Sequence, residues 1–473
     1  MIKKKIEKNK KLKNKSETKI IKKKNDSGKT KNVATSAKQN IYSTLRGMKD
    51  LLPKSGKMFM DIFHAAENVA DAYGFSYAET PILEQASLFI RSIGKGTDVI
   101  DKEMYVFEDK DGTKVCLRPE ATASFARTYI NHGLQTVPQP VKVWYWGQMF
   151  RHDRPQQGRY RQFHQFGCES FGVNNPVVDA ELVAVAYNTL KDLGINAFVK
   201  INSIGSITDR ENYLVELVGY LRSKRSYLSE ESKKKIVKNP LRILDSKEEQ
   251  DIEVIAEAPQ ILDWLNEENR KYFMKVLEYL DEAGIPYVLT PTLVRGLDYY
   301  TDTVFELFEE VKDETEKNEN SEIALGGGGR YNGLVSQLGG PETPAAGFAL
   351  GIERILNILE KKAEEEMKQN QEKSNKHRVD ALFLAQLGEQ ASKKALNIIE
   401  KLRKNNFKVY HNLAKTSLKA QLELADKAEV KYTLILGQKE VQDGTIIVRD
   451  MESGIQEIID QNKIVHHAQK ILN

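Results

Sequence analysis

The sequence predicts an α+β fold with antiparallel strands and a helical insertion, followed by a separate α/β domain. Two strand-like runs, 141–151 and 161–171, are joined by a polar loop and predict a long antiparallel hairpin. Residues 205–285 are charged and helical in pattern, without the Gly or Pro clusters of sheet turns. After residue 378, short apolar strands alternate with helical stretches, which is typical of a parallel sheet covered by helices. The expected regions are a tail (1–40), an α+β core (41–375) with the insertion at 205–285, and an α/β domain (376–473).

The positive net charge of the chain comes from its first forty residues. The chain has a formal charge of +4, and residues 1–40 hold fifteen Lys, no Arg and three acidic residues. This tail carries +12, so residues 41–473 carry −8. Its composition is too poor in apolar residues to offset the entropy of ordering, and we expect disorder. A solubilising extension is favoured over an arm that binds nucleic acid through phosphates, and deletion of the tail would decide.

Composition also limits the classes of site and compartment. With 40% hydrophobic residues among 473, the chain can bury a large core. Its two cysteines, Cys116 and Cys168, are far apart and lack partners at metal-ligand spacing, so the sequence predicts neither disulfides nor a metal site. It contains no secretory signal and no apolar run of membrane-spanning length. We therefore expect a cytoplasmic protein without membrane contacts.

The elements before the hairpin have clear local signals. Apolar residues from Met58 to Tyr73 recur at helical spacing, and Gly74 follows where a left-handed cap would end the helix. Residues 114–117 are strand-like and lead through Arg118 to Thr122 into an apolar helical run. Glu120 lies at this turn. Taken alone, it is best explained as a carboxylate that complements a helix start.

The elements after the insertion are more irregular. We expect strands at 293–308 and 323–325, separated by an acidic loop at 309–322. The four glycines at 326–329 favour a flexible turn. A glycine-spaced strand then enters a helix at 347–354. The charged segment 360–378 is predicted to be a linker or a fraying helix, and the final parallel strands are placed at 379–385, 407–411, 432–436 and 445–448.

The hairpin combines residue types that a purely structural sheet seldom uses. Alternation along the second strand places Arg161, Phe163, Gln165, Gly167 and Glu169 on one face. Glycine weakens a strand interior unless something approaches closely. The sequence therefore predicts that the glycines of the hairpin, residues 147 and 167, leave volume for a small ligand.

Arginines provide the candidate phosphate contacts. No GxxxxGK motif followed by Ser or Thr is present, so a nucleotide would be held by arginines on a sheet rather than by a phosphate loop. Arg151, Arg295 and Arg354 stand at predicted strand ends or starts beside glycines. For each of them alone, a surface or ion-pair role is the simpler explanation.

Together these segments resemble the histidyl-tRNA synthetase family of class II aminoacyl-tRNA synthetases over roughly residues 41–473. The three class motifs correspond to the helix and strand ending at Pro81, to the hairpin FRHDRPQQGRYRQFHQFGCE, and to GFALGIER. LRPEAT and LVRGLDYY match the histidine-specific signatures. The resemblance implies a mainly antiparallel sheet flanked by helices, a helical insertion, a C-terminal α/β anticodon-binding domain and a homodimer formed partly by the first motif.

The resemblance also implies a set of histidine contacts. Glu120, Thr122 and Gln165 would hold the α-amino group, whereas Glu169 and Tyr300 would bind the imidazole. Tyr331 would line the pocket, together with Tyr299. Neutral imidazole has one donor and one acceptor, and a carboxylate plus a phenol can satisfy both.

For ATP, the resemblance implies that Phe163 and Arg354 enclose the adenine and that Arg151 and Arg295 contact the α-phosphate. Arg295 corresponds to the catalytic arginine of the family, and Arg151 is the second residue expected to act in catalysis. Mg²⁺ would accompany the β and γ phosphates of ATP, and no organic cofactor is expected. Asp153 would reach the adenine amino group, although the class usually has Glu there, and Ala121 stands where the family usually has Gly.

The resemblance further implies that the substrates are L-histidine, ATP and tRNA(His). The hairpin loop would lie near the tRNA acceptor end, with Arg154, Arg159 and Arg161 as phosphate contacts. One alternative is a non-catalytic paralogue that regulates histidine biosynthesis, but such proteins lack the anticodon domain and lose the active-site arginines, all of which are present here. An RNA-binding scaffold would leave the carboxylates and Gln165 unexplained.

Overall fold

A computed structural model describes residues 42–94, 97, 99–155, 158–310, 324–370 and 378–472. The chain forms two compact units, Met1–Leu356 and Asn357–Asn473. Several predicted features lie outside the described residues: the tail 1–40, most of the acidic loop 309–322, Gln156, Gln157 and the end of the charged segment 360–378.

The first unit contains an eight-stranded sheet and a three-stranded sheet. Its strands are β1 (Ser76–Tyr77), β2 (Leu83–Gln85), β3 (Val106–Glu108), β4 (Lys114–Leu117), β5 (Val141–Phe150), β6 (Gln162–Phe171), β7 (Ala197–Ser203), β8 (Tyr287–Leu289), β9 (Thr301–Glu309), β10 (Gly326–Arg330) and β11 (Ala345–Gly351). The large sheet has the order β1-β5-β6-β11-β10-β9-β7-β8 and is antiparallel except at its two outer pairs. The small sheet has the order β2-β4-β3. The predicted mainly antiparallel sheet is confirmed.

The helices of the first unit are α1 (Pro53–Ala72), α2 (Ala86–Ile93), α3 (Thr122–Asn131), α4 (Pro176–Asp192), α5 (Ile207–Ser223), α6 (Glu230–Lys238), α7 (Glu249–Ala256), α8 (Glu267–Glu282) and α9 (Leu334–Gln337). A further helix, α10 (Ile352–Asn370), begins in the first unit and ends in the second. Short helical turns lie at Val99–Glu103, Leu134–Thr136, Arg225–Tyr227, Pro240–Ile243 and Ile261–Trp264. The predicted first helix is present, and Gly74 follows it with φ of 75°. Residues 205–285 are helical, as predicted, over α5 to α8.

One apolar cluster of this unit joins the hairpin to α2, α3 and the helical insertion. Tyr145 and Phe171 of the hairpin pack in one buried cluster with Phe89 of α2, Phe125 of α3 and Tyr213 of α5. The sheet, the turn before α3 and the insertion are thus held by one core. No helix within the described ranges is long and apolar enough to cross a membrane.

The four-glycine segment is a strand, and the prediction of a flexible turn is wrong. Gly326–Arg330 pairs on both sides, with β9 and with β11. A Cβ at each of the four glycines would overlap a backbone carbonyl of a neighbouring strand. The glycines therefore permit close approach of three strands, which is the packing reason for glycine in a strand interior.

The strand predicted at 293–308 begins later, at Thr301. The preceding segment is irregular because side chains take its backbone carbonyls. Nδ2 of Asn202 donates to the carbonyl oxygens of Pro291 and Leu293, at 3.0 Å each. Such side-chain bonds compete with ladder formation. Residues 293–300 are therefore held by individual contacts rather than by a strand.

The second unit is a mixed sheet, so the prediction of a parallel sheet is wrong in part. Its strands are β12 (Val379–Gln386), β13 (Val409–His411), β14 (Val430–Leu436), β15 (Thr445–Asp450) and β16 (Gln456–Asp460), and its helices are α11 (Glu389–Arg403), α12 (Leu418–Lys427), α13 (Gln438–Asp443) and α14 (Ile464–Leu472), with a helical turn at Gln461–Lys463. β12 runs parallel to β13 and β14, whereas β15 is antiparallel to β14 and β16. The connection from β14 to β15 is too short for a parallel crossover, which needs about a dozen residues or more. β16 was not predicted, because it is mostly exposed and lacks an apolar run.

Candidate active site

Glu169 is the central buried carboxylate of the site. It lies near the end of β6, with no exposed surface. Oγ1 of Thr122 donates to one carboxylate oxygen at 2.7 Å, and the Tyr331 hydroxyl donates to the other. Burial raises the pKa of Glu169 to about 8, although both hydroxyl bonds act to lower it. A carboxyl group of this kind can exchange a proton or a hydrogen bond with a bound base near neutral pH.

Glu120 is a second buried carboxylate, at the turn before α3. Its two oxygens accept backbone N–H bonds from Thr122 at 2.6 Å and from Ala123 at 3.0 Å. Burial raises its pKa, and these bonds and the charge of Arg151 oppose the rise. Glu120 therefore does complement the helix start. Its remaining lone pairs can still accept a bond from a ligand ammonium group.

Three tyrosines, all buried, form a wall beside Glu169. The rings of Tyr299 and Tyr300 are 4.8 Å apart between centroids, and Tyr299 and Tyr331 are 5.7 Å apart. Burial raises the pKa of all three phenols, so each stays a neutral hydroxyl that can donate. On β6, Oε1 of Gln165 is buried and has no hydrogen-bond partner among the described residues. The site thus holds unused hydrogen-bonding capacity.

A cluster of arginines lies next to these groups. Nε of Arg151 donates to the carbonyl of Pro119 at 2.9 Å, and its guanidinium carbon lies 5.5 Å from the ring centre of Phe163. Burial, together with the charges of Arg159 and Arg151, lowers the pKa of Arg354 to about 10. Arg354 is held by the carbonyls of Ala324 and Gly158. Arg151 and Arg354 are half-buried and Arg159 is exposed, and cations that repel each other in this way make a site for a polyanion.

Arg295 differs from Arg151 and Arg354 because it forms a close ion pair with a carboxylate. Its guanidinium pairs with Glu306 of β9 and lies 5.7 Å from the ring centre of Tyr300. Burial acts to lower the pKa of Arg295, but Glu306 and Tyr300 outweigh it and leave the pKa raised. Its charge is therefore fixed, and Arg295 borders both the tyrosine wall and the arginine cluster.

The hairpin loop carries the remaining predicted residues. Asp153 faces Arg159 across 3.6 Å and accepts a bond from the backbone N–H of Arg154 at 2.6 Å. Arg154 and Arg159 are exposed, whereas Arg161 is half-buried and donates to the Asp153 carbonyl at 3.3 Å. Arg161 therefore supports the loop, and the two exposed arginines are open to a partner.

The expectation that the hairpin glycines leave volume for a ligand is wrong. A Cβ at Gly147 would overlap the guanidinium of Arg118, and one at Gly167 would overlap the Tyr145 ring and the Phe348 carbonyl. The protein itself fills both spaces. The glycines serve packing between the hairpin and its neighbours.

Three functional candidates were missed from the sequence. Arg118 is buried and bonds to carbonyls of Thr80 and Gln148, joining the first motif to the hairpin. Glu306 pairs with Arg295, and Glu353 accepts the backbone N–H of His164 at 2.9 Å. A charged residue inside an apolar strand was the available signal for Glu306. The other two needed knowledge of long-range contacts.

Each of the two units matches a known protein family. The family model described as histidyl-tRNA synthetase matches residues 47–355, and the one described as anticodon binding domain matches residues 381–471. The histidine–tRNA ligase of Staphylococcus saprophyticus is 39% identical over 427 residues, covering 90% of this chain and 99% of that protein. The histidine–tRNA ligase of Anoxybacillus flavithermus is also 39% identical, over 90% of this chain and 98% of that protein.

Solved structures agree with the sequence comparisons. The apo histidyl-tRNA synthetase of S. aureus has a TM-score of 0.72 and 34% identity, covering 91% of this chain and the whole of that one. The histidyl-tRNA synthetase of Nostoc sp. has a TM-score of 0.63 at 19% identity over 92% of this chain and the whole of that one, which supports the fold alone. The predicted class II fold and the predicted family are confirmed. The chain belongs to the histidyl-tRNA synthetase family.

Proposed function

We propose that this chain activates L-histidine with ATP, forming histidyl-adenylate, and then transfers histidine to the 3′ end of tRNA(His). Family membership confirms the enzyme class, a ligase that forms aminoacyl-tRNA. The observation that carries the residue assignments is the juxtaposition of buried Glu169, bonded by two hydroxyls, with a cluster of partly exposed arginines. A polar pocket for a small base thus adjoins a site for a polyanion.

Histidine recognition uses the polar pocket. Glu169 and the Tyr300 hydroxyl satisfy the two imidazole nitrogens, with Tyr299 and Tyr331 around the ring. Analogues that lack those nitrogens would leave buried polar groups unpaired, which is costly.

Glu120, Thr122 and Gln165 hold the α-amino group of histidine. The oxygen of Gln165 that has no partner among the described residues is available for this ammonium group. Glu120 adds a buried charge close to it. These contacts would direct the substrate carboxylate towards the arginines.

Activation proceeds in the arginine cluster. A histidine carboxylate oxygen attacks the α-phosphorus of ATP, a new P–O bond forms, and the bond to the β-phosphate oxygen breaks as pyrophosphate leaves. Arg151 and Arg295 donate to the α-phosphoryl oxygens, on which negative charge builds. Phe163 and Arg354 hold the adenine between them, and Asp153 reaches its amino group.

Mg²⁺ enters with ATP as part of the substrate and is held mainly by its β- and γ-phosphate oxygens. Within the described ranges, no group of three or more His, Cys, Asp or Glu side chains could hold a metal ion. Glu306 already pairs with Arg295. The protein would therefore contribute few ligands.

Transfer uses both units of the chain. The terminal ribose hydroxyl of tRNA attacks the carbonyl carbon of the adenylate, the ester forms, and AMP leaves as the hydroxyl proton is released. Arg154 and Arg159 are assigned to the acceptor end, and Arg161 supports the loop that carries them. The second unit is assigned to the anticodon, because it matches the anticodon-binding family.

We also propose a homodimer. Leu83 and Phe107 lie opposite Leu117 and Val115 of β4, on one face of the three-stranded sheet, and they are 50% and 46% exposed. Apolar side chains so exposed on one small sheet favour burial against a second copy. The cytoplasmic location stays a prediction.

Pyrophosphate exchange with each amino acid in turn tests the proposal. We expect exchange with histidine alone, loss of exchange in Arg295→Ala, and a large rise in the KM for histidine in Glu169→Ala. Arg222→Gln, at an exposed position of the insertion, is the matched control. Exchange with another amino acid would overturn the histidine assignment. No pyrophosphate exchange with any amino acid would favour the regulatory paralogue.

A further inference from the structure

The helical insertion contacts the irregular segment 293–300, which carries Arg295 and Tyr300. Arg242, in the helical turn Pro240–Ile243, donates from Nη2 to the carbonyl of Gly296 at 2.5 Å. Arg210, on α5, donates from Nη1 to the carbonyl of Tyr300 at 3.0 Å. The two guanidiniums therefore hold the second half of the segment, at Gly296 next to Arg295 and at Tyr300.

A third contact lies between these two. Asn239 hydrogen-bonds to the carboxylate of Asp298, and the charges of Arg242 and Arg210 lie close to it. Partial burial raises the pKa of Asp298, and these three insertion residues oppose the rise. Three side chains of the insertion thus act on one carboxylate that lies between Gly296 and Tyr300.

The segment needs such support because it is not a strand. It lacks the ladder bonds that position β9, and Asn202 takes the carbonyls at its start. Functional groups on irregular segments require neighbouring bonds to hold them within a fraction of an ångström. Charged donors make the stronger hydrogen bonds, and both Arg210 and Arg242 are half-buried.

We propose that Arg210 and Arg242 are positioning residues that complete the active site from the insertion. Arg242 sets Arg295 against the α-phosphate, and Arg210 sets Tyr300 against the imidazole. This inference rests on the proposed function for the roles of Arg295 and Tyr300. It assigns the insertion a part in amino-acid activation that is independent of tRNA.

The test compares Arg242→Gln and Arg210→Gln with Arg222→Gln, which removes an exposed arginine from α5. In histidine-dependent pyrophosphate exchange without tRNA, we expect Arg242→Gln to lower kcat by about tenfold, with a smaller change in the KM for histidine. Arg210→Gln should raise the KM for histidine by about tenfold, with a smaller change in kcat. If the two arginines only stabilised the fold, both substitutions would change kcat and the KM for histidine in the same way. Arg210→Lys, which keeps a charged donor, should recover part of the loss.

Hydrogen exchange of the amides of 293–301 provides a readout without activity. We expect faster exchange there in both test variants, with the exchange of the large sheet unchanged, and no effect in Arg222→Gln. Unchanged exchange at 293–301, or kinetics equal to those of Arg222→Gln, would overturn the proposal. If the wild-type chain failed to activate histidine, the proposed function would fall, whereas the exchange measurement would still decide whether the insertion holds the segment.

Discussion

The carboxylate of Glu169 occupies the space where a side chain at Gly347 would lie. The two residues are direct partners on the neighbouring strands β6 and β11, and a Cβ on Gly347 would overlap the carboxylate. Gly347 opens the third class motif, whereas Glu169 ends the second. The glycine therefore has a specific physical role, which is to make room for the group assigned to the imidazole.

Gly347→Ala should weaken histidine binding more than ATP binding. The methyl group would push the Glu169 carboxylate away from Tyr331. Overpacking costs about 1–3 kcal/mol, so we expect a rise in the histidine KM of roughly 10- to 100-fold. Pyrophosphate exchange at varied histidine and at varied ATP measures both. Gly219→Ala, where an added Cβ meets nothing within 4 Å, is the control. An unchanged histidine KM would contradict the assignment.

Glu169→Gln should change how stability depends on pH. The folded-state pKa of Glu169, about 8, lies above the ordinary value of 4.5. Between these values the folded protein binds one more proton than the unfolded chain, so the contribution of Glu169 to stability falls as pH rises. Glutamine cannot ionise, so the stability of the variant does not fall with pH for this reason. Urea unfolding should show the variant gaining stability relative to the wild type from about pH 5 to about pH 9.

The control for that measurement is Glu268→Gln, at an exposed position in the first turn of α8. The difference between its free energy of unfolding and that of the wild type should vary little over the same pH range. A constant difference for Glu169→Gln across the whole range would show that burial does not raise the pKa of Glu169.

Gly147→Ala should destabilise the fold through Arg118. The new methyl group would displace a guanidinium that donates to Gln148 at 2.9 Å and to the Thr80 carbonyl at 2.6 Å. We expect a loss of about 1–3 kcal/mol in the free energy of unfolding, and a smaller loss when Arg118 is already alanine. Urea unfolding of the wild type, Gly147→Ala, Arg118→Ala and the double variant measures the coupling between the two residues. Equal losses in both backgrounds would rule out the proposed contact.

Arg354→Gln should weaken ATP binding without lowering the stability of the ATP-free protein. Burial lowers the pKa of Arg354 to about 10, with Arg159 and Arg151 adding repulsion, so its charge is costly in the ATP-free protein. We expect the variant to be no less stable than the wild type without ATP. Saturating ATP at about 100 times Kd adds about 2.7 kcal/mol to the wild type, and most of the resulting rise in Tm should be absent from the variant. Arg222→Gln should keep the full rise, and an ATP effect of wild-type size in Arg354→Gln would refute the assignment.

Phe107→Glu should dissociate the proposed dimer. Phe107 is 46% exposed on β3, and a charge there would be buried without a partner in the interface. Sedimentation should give a dimer for the wild type and a monomer for the variant. Val215→Glu, at a position that is 77% exposed on α5, should leave the dimer intact. A wild-type monomer, or a variant that stays dimeric, would count against this interface.

Local pattern was enough to predict the elements whose signals lie within a few residues. The period-two alternation around Glu169 predicted the hairpin, and the turn before Thr122 predicted the start of α3. The apolar runs of the second unit predicted four of its strands. The residue roles themselves came from motif resemblance, and they stay predictions until the assays above are done.

Long-range packing decided the rest. The strand of Gly326–Arg330 exists because β9 and β11 approach it from both sides, which no property of four glycines indicates. Arg118 fills the space over Gly147, and Glu306 neutralises Arg295, although the chain separates the first pair by 29 residues and the second by 11. Sequence periodicity reports which face of an element is buried. Periodicity does not indicate which distant side chain will fill a given gap, because that depends on how the folded strands and helices pack against each other.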